Sequence, residues 1–134
     1  MKITADTNLL VRWLVTDDAA QTAVAERLLT EAASREERLW VPVTVLLELE
    51  WVLRSRYGFD KAAITTALDA LLSTTELDFQ EEAAIEQALW HFRAAGVPDF
   101  ADSLHVALSA AAGQGPLLTL DKKAGRLPGA QWVG

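Results

Sequence analysis

Two short apolar runs in this sequence each lead into an aspartate. The run KITA precedes Asp6, and the run PLLTL precedes Asp121. If both runs are neighbouring strands of a parallel sheet, both carboxylates project into the crevice at the carboxyl ends of the strands, where such sheets bind ligands. Either aspartate alone is equally well explained as a residue that ends a strand or caps a helix. The pair therefore predicts a polar crevice, provided that other chemical groups reach it.

Glu48 lies in a segment with helical spacing, and its flank of that helix is mostly apolar. The residues three and four positions away are Thr44, Val45, Trp51 and Val52. A carboxylate among apolar side chains costs several kcal/mol when it has no partner. Glu48 is therefore expected to meet a cation or a hydrogen-bonding group, unless it reaches water at the edge of the helix. Glu50, in contrast, faces Arg54 one turn later and is expected to form an ordinary exposed ion pair.

Asp99 and Asp102 open another predicted helix, with Asp99 at the N-cap and Asp102 in the first turn. A helical wheel places on the apolar side Phe100, Leu104, Ala107, Leu108 and Ala111, and on the other side Asp99, Asp102, Ser103, His105 and Ser109. An ordinary amphipathic helix accounts for this pattern. The functional interpretation is that two carboxylates, kept ionised by the helix N-terminus, point into the same crevice. Both interpretations stay open at this point.

These acids need a scaffold, and the sequence predicts one of alternating strands and helices. The predicted strands are KITA, LWVPV, ELDF, LLTL and QWV. The predicted helices are the segment from Asn8, AAQTAVAERLLTEAAS after Asp17 or Asp18, VLLELEWVLRSRYG with Thr44 as its cap, KAAITTALDALL after Asp60, EEAAIEQALWHFRAAG and DFADSLHVALSAAAG. Strands joined by helical crossovers imply a mostly parallel sheet of four to five strands with helices on both faces. The expected fold is an α/β domain that spans residues 1–134 as one unit.

Composition limits the chemistry and the setting of the chain. It has 134 residues, about half of them hydrophobic, which favours one folded domain. Cysteine is absent, so thiolate metal sites, disulfides and cysteine nucleophiles are excluded, and any metal must take oxygen or imidazole ligands. Asp6 interrupts the N-terminal apolar stretch, and no later run approaches membrane-spanning length. We therefore expect a soluble, cytoplasmic protein.

The formal net charge of −7 argues against a broad, non-specific attraction to nucleic acid. Basic side chains nevertheless crowd two of the segments described above, and they are Arg54, Arg56, Lys122, Lys123 and Arg126. They predict either a local contact with a polyanion or a solvated surface. The tryptophans are spread over the predicted elements and are expected in the core or at interfaces. His91 and His105 have no spacing that would build a catalytic triad.

Four fragments of the sequence, taken in order, resemble the PIN-domain family, and within it the VapC toxins of toxin–antitoxin pairs. They are ADTNLL, PVTVLLELEWVL, DFADSLHVALS and LLTLDKKAGRL, and together they cover nearly the whole chain. The resemblance implies a three-layer α/β/α fold and a Mg²⁺- or Mn²⁺-dependent endoribonuclease that hydrolyses RNA to leave 5′-phosphate and 3′-hydroxyl ends. It also implies a homodimer that a cognate VapB-like antitoxin holds inactive.

The same resemblance assigns roles to residues. The family's acidic quartet falls on Asp6, Glu48, Asp102 and Asp121, with Asp99 as an additional acid. On this assignment Asp6 and Asp102 are the principal metal ligands, and Glu48 and Asp121 bind directly or through water. The polar positions that orient the carboxylates fall on Thr7, Asn8 and Thr119. Carboxylate oxygens suit hard, six-coordinate ions such as Mg²⁺ or Mn²⁺. Two carboxylates about 4 Å apart repel by roughly 4 kcal/mol at an effective dielectric near 20, and a bound cation relieves that strain.

Other functions stay open at this stage. A domain similar to response-regulator receivers also combines a small α/β sheet with clustered acids and a downstream lysine, here Lys122. That class has an acidic pair after its first strand, where this chain has Asp6 alone, and Glu48 lies inside a helix. Further alternatives are a PIN domain that only binds, and a PIN nuclease that processes RNA or cuts DNA outside any toxin–antitoxin pair.

Overall fold

The structure is a computed structural model that describes residues 3–94, 96–97 and 99–134. Its strands are β1 (Ile3–Thr4), β2 (Leu39–Val41), β3 (Leu77–Phe79), β4 (Leu117–Thr119) and β5 (Ala130–Trp132). Its α-helices are α1 (Thr7–Leu14), α2 (Ala19–Ser34), α3 (Val43–Ser55), α4 (Lys61–Leu72), α5 (Glu82–Phe92) and α6 (Phe100–Ala111), and a short 3₁₀ helix covers Ala124–Arg126. The alternation of strands and helices confirms the predicted α/β class.

Every strand runs parallel to its partner, as the helical crossovers predict. β1, β2 and β3 form a three-stranded sheet in that order, with Leu39 opposite both Ile3 and Leu77. β4 and β5 form a second, two-stranded sheet, in which Leu117 lies opposite Ala130. Within the described residues, the strands expected in one sheet are therefore divided between two sheets. The expectation that the strands before Asp6 and Asp121 are neighbours stays a prediction.

The chain divides into two compact units, Met1–Gln80 and Glu81–Gly134. The prediction that residues 1–134 form one domain stays a prediction. Lys2, the predicted first residue of β1, lies outside the described residues, and so do Ala95 and Pro98 between α5 and α6. No helix in the described ranges is long and apolar enough to cross a membrane.

The first unit places its core between its helices and the three-stranded sheet. α1 packs against both α2 and α3, and it buries Leu10 and Val11. α3 buries a stripe with spacings of three and four residues, namely Leu46, Leu49, Glu50 and Leu53. The central strand β2 buries Leu39 and Val41 but exposes Trp40, because successive strand residues point to opposite faces. This packing holds the end of β1, which Asp6 follows, and the middle of α3, which carries Glu48.

The second unit is built around the packing of α5 against α6. Phe92, near the end of α5, meets Phe100, at the start of α6, edge to face with ring centroids 5.6 Å apart. Ser103, expected on the polar side of α6, is only 2 % exposed, because it lies three residues after Phe100 and four before Ala107, which are both buried. Ala111, expected on the apolar side, is exposed at the end of the helix.

Aspartates begin four of the helices, as the sequence predicts for Asp60 and Asp99 and for Asp17 or Asp18, where the structure selects Asp18. The bonds run from the N–H of Leu9 to Asp6 (3.1 Å), of Gln21 to Asp18 (3.0 Å), of Ala63 to Asp60 (2.8 Å) and of Ala101 to Asp99 (3.0 Å). These caps satisfy N–H groups that have no partner inside the helix. Local sequence therefore decides where these helices begin.

The expectation for the cap of α3 is wrong. Thr44 does not cap α3: the N-cap is Pro42, and the N–H of Val43 donates to the side-chain oxygen of Gln80 at 2.9 Å. A distant side chain thus replaces the local cap. The tryptophans are expected in the core or at interfaces. Four of them are exposed and so lie outside the core, namely Trp40, Trp51, Trp90 and Trp132, and their place at an interface stays a prediction.

Candidate functional site

Asp6 stands where β1 gives way to α1. The N–H of Ala5 still donates to the carbonyl of Trp40 (2.9 Å), so the pairing with β2 continues up to the residue before Asp6. The carboxylate then accepts the N–H of Leu9 at 3.1 Å and is exposed. A carboxylate can accept several hydrogen bonds, so this single bond leaves most of its capacity for another partner. Asp6 is a helix cap with capacity to bind a ligand.

Thr7 connects α1 to Glu48 on α3. Its hydroxyl donates to Oε1 of Glu48, and the threonine is only 6 % exposed. Glu48 itself is exposed, so it reaches both water and a hydrogen-bonding partner. The expectation that Glu48 needs such a partner agrees with this bond. Thr7 directly follows Asp6, so this bond links Glu48 on α3 to the residue next to Asp6.

The sequence interpretation of the neighbouring Glu50 is wrong about its exposure. Glu50 is only 3 % exposed, because it belongs to the buried stripe of α3 between Leu46 and Leu53. The predicted ion pair does form, with Nε of Arg54 3.0 Å from Oε1 of Glu50. A carboxylate in that position needs the charge-assisted bond to offset its burial. Glu50 is thus a buried structural acid, and Glu48 is the accessible one.

Asn8 lies beside Asp6 on the wall of a groove between α1 and α2. The groove has a volume of about 540 Å³, and Leu9, Arg12 and Gln21 also line it. Arg12 is already engaged, since it contacts Asp17 at 2.5 Å and the hydroxyl of Tyr57 at 3.0 Å. The amide of Asn8 is exposed. Its expected role in orienting carboxylates stays a prediction.

Asp99 and Asp102 open α6 as the sequence predicts. Asp99 is the exposed N-cap, and Asp102 is half-buried in the first turn. Burial raises the pKa of the Asp102 carboxyl above its usual value, and the charges of Asp99 and Asp121 raise it further, while His105 acts in the opposite direction. Three predicted site acids of the second unit therefore share one electrostatic neighbourhood. The coupling between Asp102 and His105 was missed in the sequence, although their spacing of three residues on a helix is a signal for it.

Asp121 follows β4 and holds the 3₁₀ helix in place. Its Oδ1 accepts the N–H of Lys123 at 2.8 Å and of Ala124 at 3.3 Å. The hydroxyl of Thr119 in turn accepts the N–H of Asp121 at 3.0 Å. The sequence did not predict this 3₁₀ helix, although an aspartate that binds backbone groups two and three residues later is its usual local signal. The backbone around Asp121 is thus fixed by its own side chain and by Thr119.

The donors of the second unit have the chemistry of a site for a hard divalent cation. Asp99, Asp102 and Asp121 offer only oxygen atoms. Burial is the main cause of the raised pKa of Asp102, and a bound cation would relieve the second cause, which is repulsion by Asp99 and Asp121. Across residues 3–94, 96–97 and 99–134, no three acidic or imidazole side chains converge closely enough to enclose a metal ion. The donor type therefore fits a hard cation, while the described carboxylates do not enclose one.

The structure thus brings the predicted site residues into two groups. Asp6, Thr7, Asn8 and Glu48 lie in the first unit, and Asp99, Asp102, Thr119 and Asp121 lie in the second. Glu48 accepts the hydroxyl of Thr7, the N–H of Asp121 donates to Thr119, and Asp102 interacts with the charges of Asp99 and Asp121. Asp6 instead accepts the N–H of Leu9. Their roles as metal ligands and as orienting groups stay predictions.

The fold and these acids define a class: an α/β protein that carries carboxylates where β1 and β4 end and where α6 begins. Comparison with protein families identifies the family, because the PIN domain model matches residues 3–130. The chain therefore belongs to the PIN-domain family. A search of curated proteins found no match.

Membership of the family supports a nuclease fold, and PIN domains are generally metal-dependent nucleases. The helices and parallel strands agree with the three-layer α/β/α architecture expected for it. The receiver-like alternative has no support from this match.

Proposed function

We propose that this protein is a metal-dependent endoribonuclease. The observation that carries the proposal is the position of Asp102 in the first turn of α6, where burial first and the charges of Asp99 and Asp121 second raise its pKa, while His105 opposes them. An acidic group that is costly to the apo protein is typical of a site built for a ligand of opposite charge. Family membership supplies the reaction class, because PIN domains are generally nucleases.

The chain's own residues would prepare the site before any substrate arrives. We propose Asp6, Glu48, Asp99, Asp102 and Asp121 as the acids that hold Mg²⁺ or Mn²⁺. Thr7 fixes one oxygen of Glu48, and Thr119 fixes the backbone of Asp121. Asn8 adds an exposed amide beside Asp6. A divalent ion bound there supplies Lewis-acid chemistry, in that it polarises a phosphate and lowers the pKa of a bound water.

Cleavage assays test this proposal directly. Purified protein is incubated with transfer and ribosomal RNA in Mg²⁺, in Mn²⁺ or in EDTA, and the wild type is expected to cut RNA only with metal. Asp102→Asn is expected to lower the rate by about 100-fold or more, because it removes a charged ligand. Glu86→Gln is the matched control, since Glu86 is an exposed acid on α5 of the same unit. Cleavage in EDTA, or equal loss in the control, would contradict the proposal.

We further propose that the nuclease is the toxin of a type II toxin–antitoxin pair, that it forms a homodimer and that a VapB-like antitoxin inhibits it. The support is the order of the four VapC-like fragments along the chain. Expression without a partner is expected to arrest growth, and Asp6→Ala is expected to relieve the arrest. Normal growth with abundant wild-type protein that still cuts RNA in vitro would favour the alternative, a PIN nuclease that processes RNA outside such a pair.

A further inference from the structure

A small pocket lies directly after Asp121 in the second unit. It has a volume of about 260 Å³ and is lined by Lys122, Gly125, Arg126 and Trp132. This volume is just below the range of about 300–1,000 Å³ that is typical of small-molecule sites. The pocket is therefore of a size to hold one small group, such as a single nucleotide of a longer strand.

The aromatic wall of this pocket is held rigidly. The indole N–H of Trp132 donates to the carbonyl of Leu120 at 3.2 Å, and the side chain remains 43 % exposed. Gly125 packs directly on Trp132, since a Cβ at that glycine would lie 2.7 Å from Cβ of Trp132. The N–H of Gly125 also donates to the carbonyl of Asp121 at 2.9 Å. The same short turn thus positions the ring and the acid.

The pocket carries two positive charges that no acid neutralises. Nζ of Lys122 lies 5.1 Å from the centroid of the Trp132 ring, which is a cation–π contact. Arg126 is exposed, and neither cation forms an ion pair within the described part of the chain. The chain as a whole has a formal charge of −7. On a chain that is acidic overall, this cationic and aromatic pocket is a local site whose charge is complementary to a polyanion.

We infer that this pocket binds one nucleotide of a single-stranded RNA beside the phosphate that is cut. The base displaces Nζ of Lys122 from the Trp132 ring and stacks in its place, and the released Lys122 and Arg126 bind the flanking phosphates. Stacking on an aromatic ring together with basic side chains along the backbone is the general chemistry of single-strand recognition. The inference rests on the proposed nuclease function, because the pocket would hold the same RNA strand that Asp121 helps to cut.

Binding is measured with the Asp102→Asn protein in Mg²⁺, so that cleavage does not interfere, and with a fluorescein-labelled oligoadenylate of about 12 nucleotides. Trp132→Leu is expected to weaken binding about tenfold, because stacking is lost, and Trp132→Phe is expected to retain most of the affinity. Arg126→Gln and Lys122→Gln are each expected to reduce the slope of log Kd against log salt by about 0.7, the value for one phosphate of a single strand. Arg35→Gln, at the exposed end of α2, is the charge-matched control and should leave Kd within about twofold.

A second measurement uses active protein. On the wild-type background, Arg126→Gln and Trp132→Leu should raise KM for RNA cleavage about three- to tenfold with kcat nearly unchanged, as expected when uniform binding is lost. Unchanged KM and Kd in an enzyme that cuts RNA would overturn the pocket and leave the nuclease standing. A wild type that neither binds nor cuts RNA would overturn both. Tighter binding of a heptaglutamate peptide than of RNA, with the same loss in Arg126→Gln, would assign the pocket to an acidic polypeptide and overturn the inference.

Discussion

At the scale of single residues, Glu48 and Glu50 show how position on a helix decides the use of a carboxylate. Glu50 lies in the buried stripe of α3 and needs Arg54. Glu48 lies two residues earlier, at the exposed surface, and accepts the hydroxyl of Thr7. The two acids are of the same type and differ only in their surroundings, so Glu48 is the accessible one of the two.

Thr7→Val tests whether that hydroxyl matters for function. Valine has nearly the same shape, so the buried position stays filled while Glu48 loses its donor. We expect kcat/KM for RNA cleavage to fall about tenfold, consistent with the loss of one hydrogen bond to a charged group, and Tm to change by less than about 3 °C. Thr7→Ser keeps the hydroxyl and should retain most of the activity. Equal activity in both variants would show that Glu48 does not depend on Thr7.

Asp102→Asn tests the electrostatic cost of the acidic group. The pKa of Asp102 is higher in the folded protein than in the unfolded chain. The protonated carboxyl therefore stabilises the fold at pH values below the unfolded pKa. That stability is lost as the pH rises through the folded pKa. In EDTA at pH 7 the neutral variant should therefore melt about 2 °C above the wild type. Asp99 remains at the helix N-terminus, so the helix keeps its cap.

Thermal melts from pH 7 down to pH 4 provide the readout for this variant. The advantage of Asp102→Asn should shrink as the pH falls, because the wild-type carboxyl becomes protonated. Glu86→Gln, on the exposed face of α5, should show no such gain. A lower Tm for Asp102→Asn in EDTA at pH 7 would contradict the electrostatic account.

At the scale of elements, the helices begin where a side chain can bind their first N–H groups. α4 is the simplest case, because Asp60 accepts the N–H of Ala63 at 2.8 Å and is not a candidate site residue. Asp60→Ala should cost about 1 kcal/mol, which is about 4 °C in Tm for a domain of this size. Asp60→Asn keeps an acceptor and should cost much less. Circular dichroism melts check both, and an equal loss in the two variants would mean that charge and not the cap stabilises α4.

Strand pairing is the element-scale feature that local sequence controls least. β4 (Leu117–Thr119) pairs with β5. The segment between the two strands contains the 3₁₀ helix, whose start is bound by Asp121. The strand itself is predictable from its apolar run, but its partner depends on which segments pack together. The pocket at Trp132 exists because β5 returns beside β4 and places its tryptophan against Gly125. No local sequence pattern predicts the contact between Trp132 and Gly125.

At the scale of the whole molecule, a chain with net charge −7 and crowded acids should respond strongly to a divalent cation. We expect Mn²⁺ to raise the Tm of the wild type more than that of Asp6→Asn or Asp121→Asn. A ligand at 100 times its Kd adds about 2.7 kcal/mol, which is roughly 10 °C here. Asp78→Asn, an exposed acid on β3, is the control and should respond like the wild type. Equal shifts in all four proteins would contradict a metal site that uses Asp6 and Asp121.

The sequence by itself determined the order of strands and helices, the caps of α2, α4 and α6, and the set of acids that resemble the family's quartet. These features depend on residues close together in the chain, so a local pattern encodes them. Only the tertiary structure decided that Glu50 and not Glu48 is buried, that Thr7 is the partner of Glu48, that Gln80 caps α3 and that Trp132 borders a cationic pocket. Each of these outcomes joins residues from different elements or depends on what covers a helix face, and packing in three dimensions, not spacing along the chain, determines it.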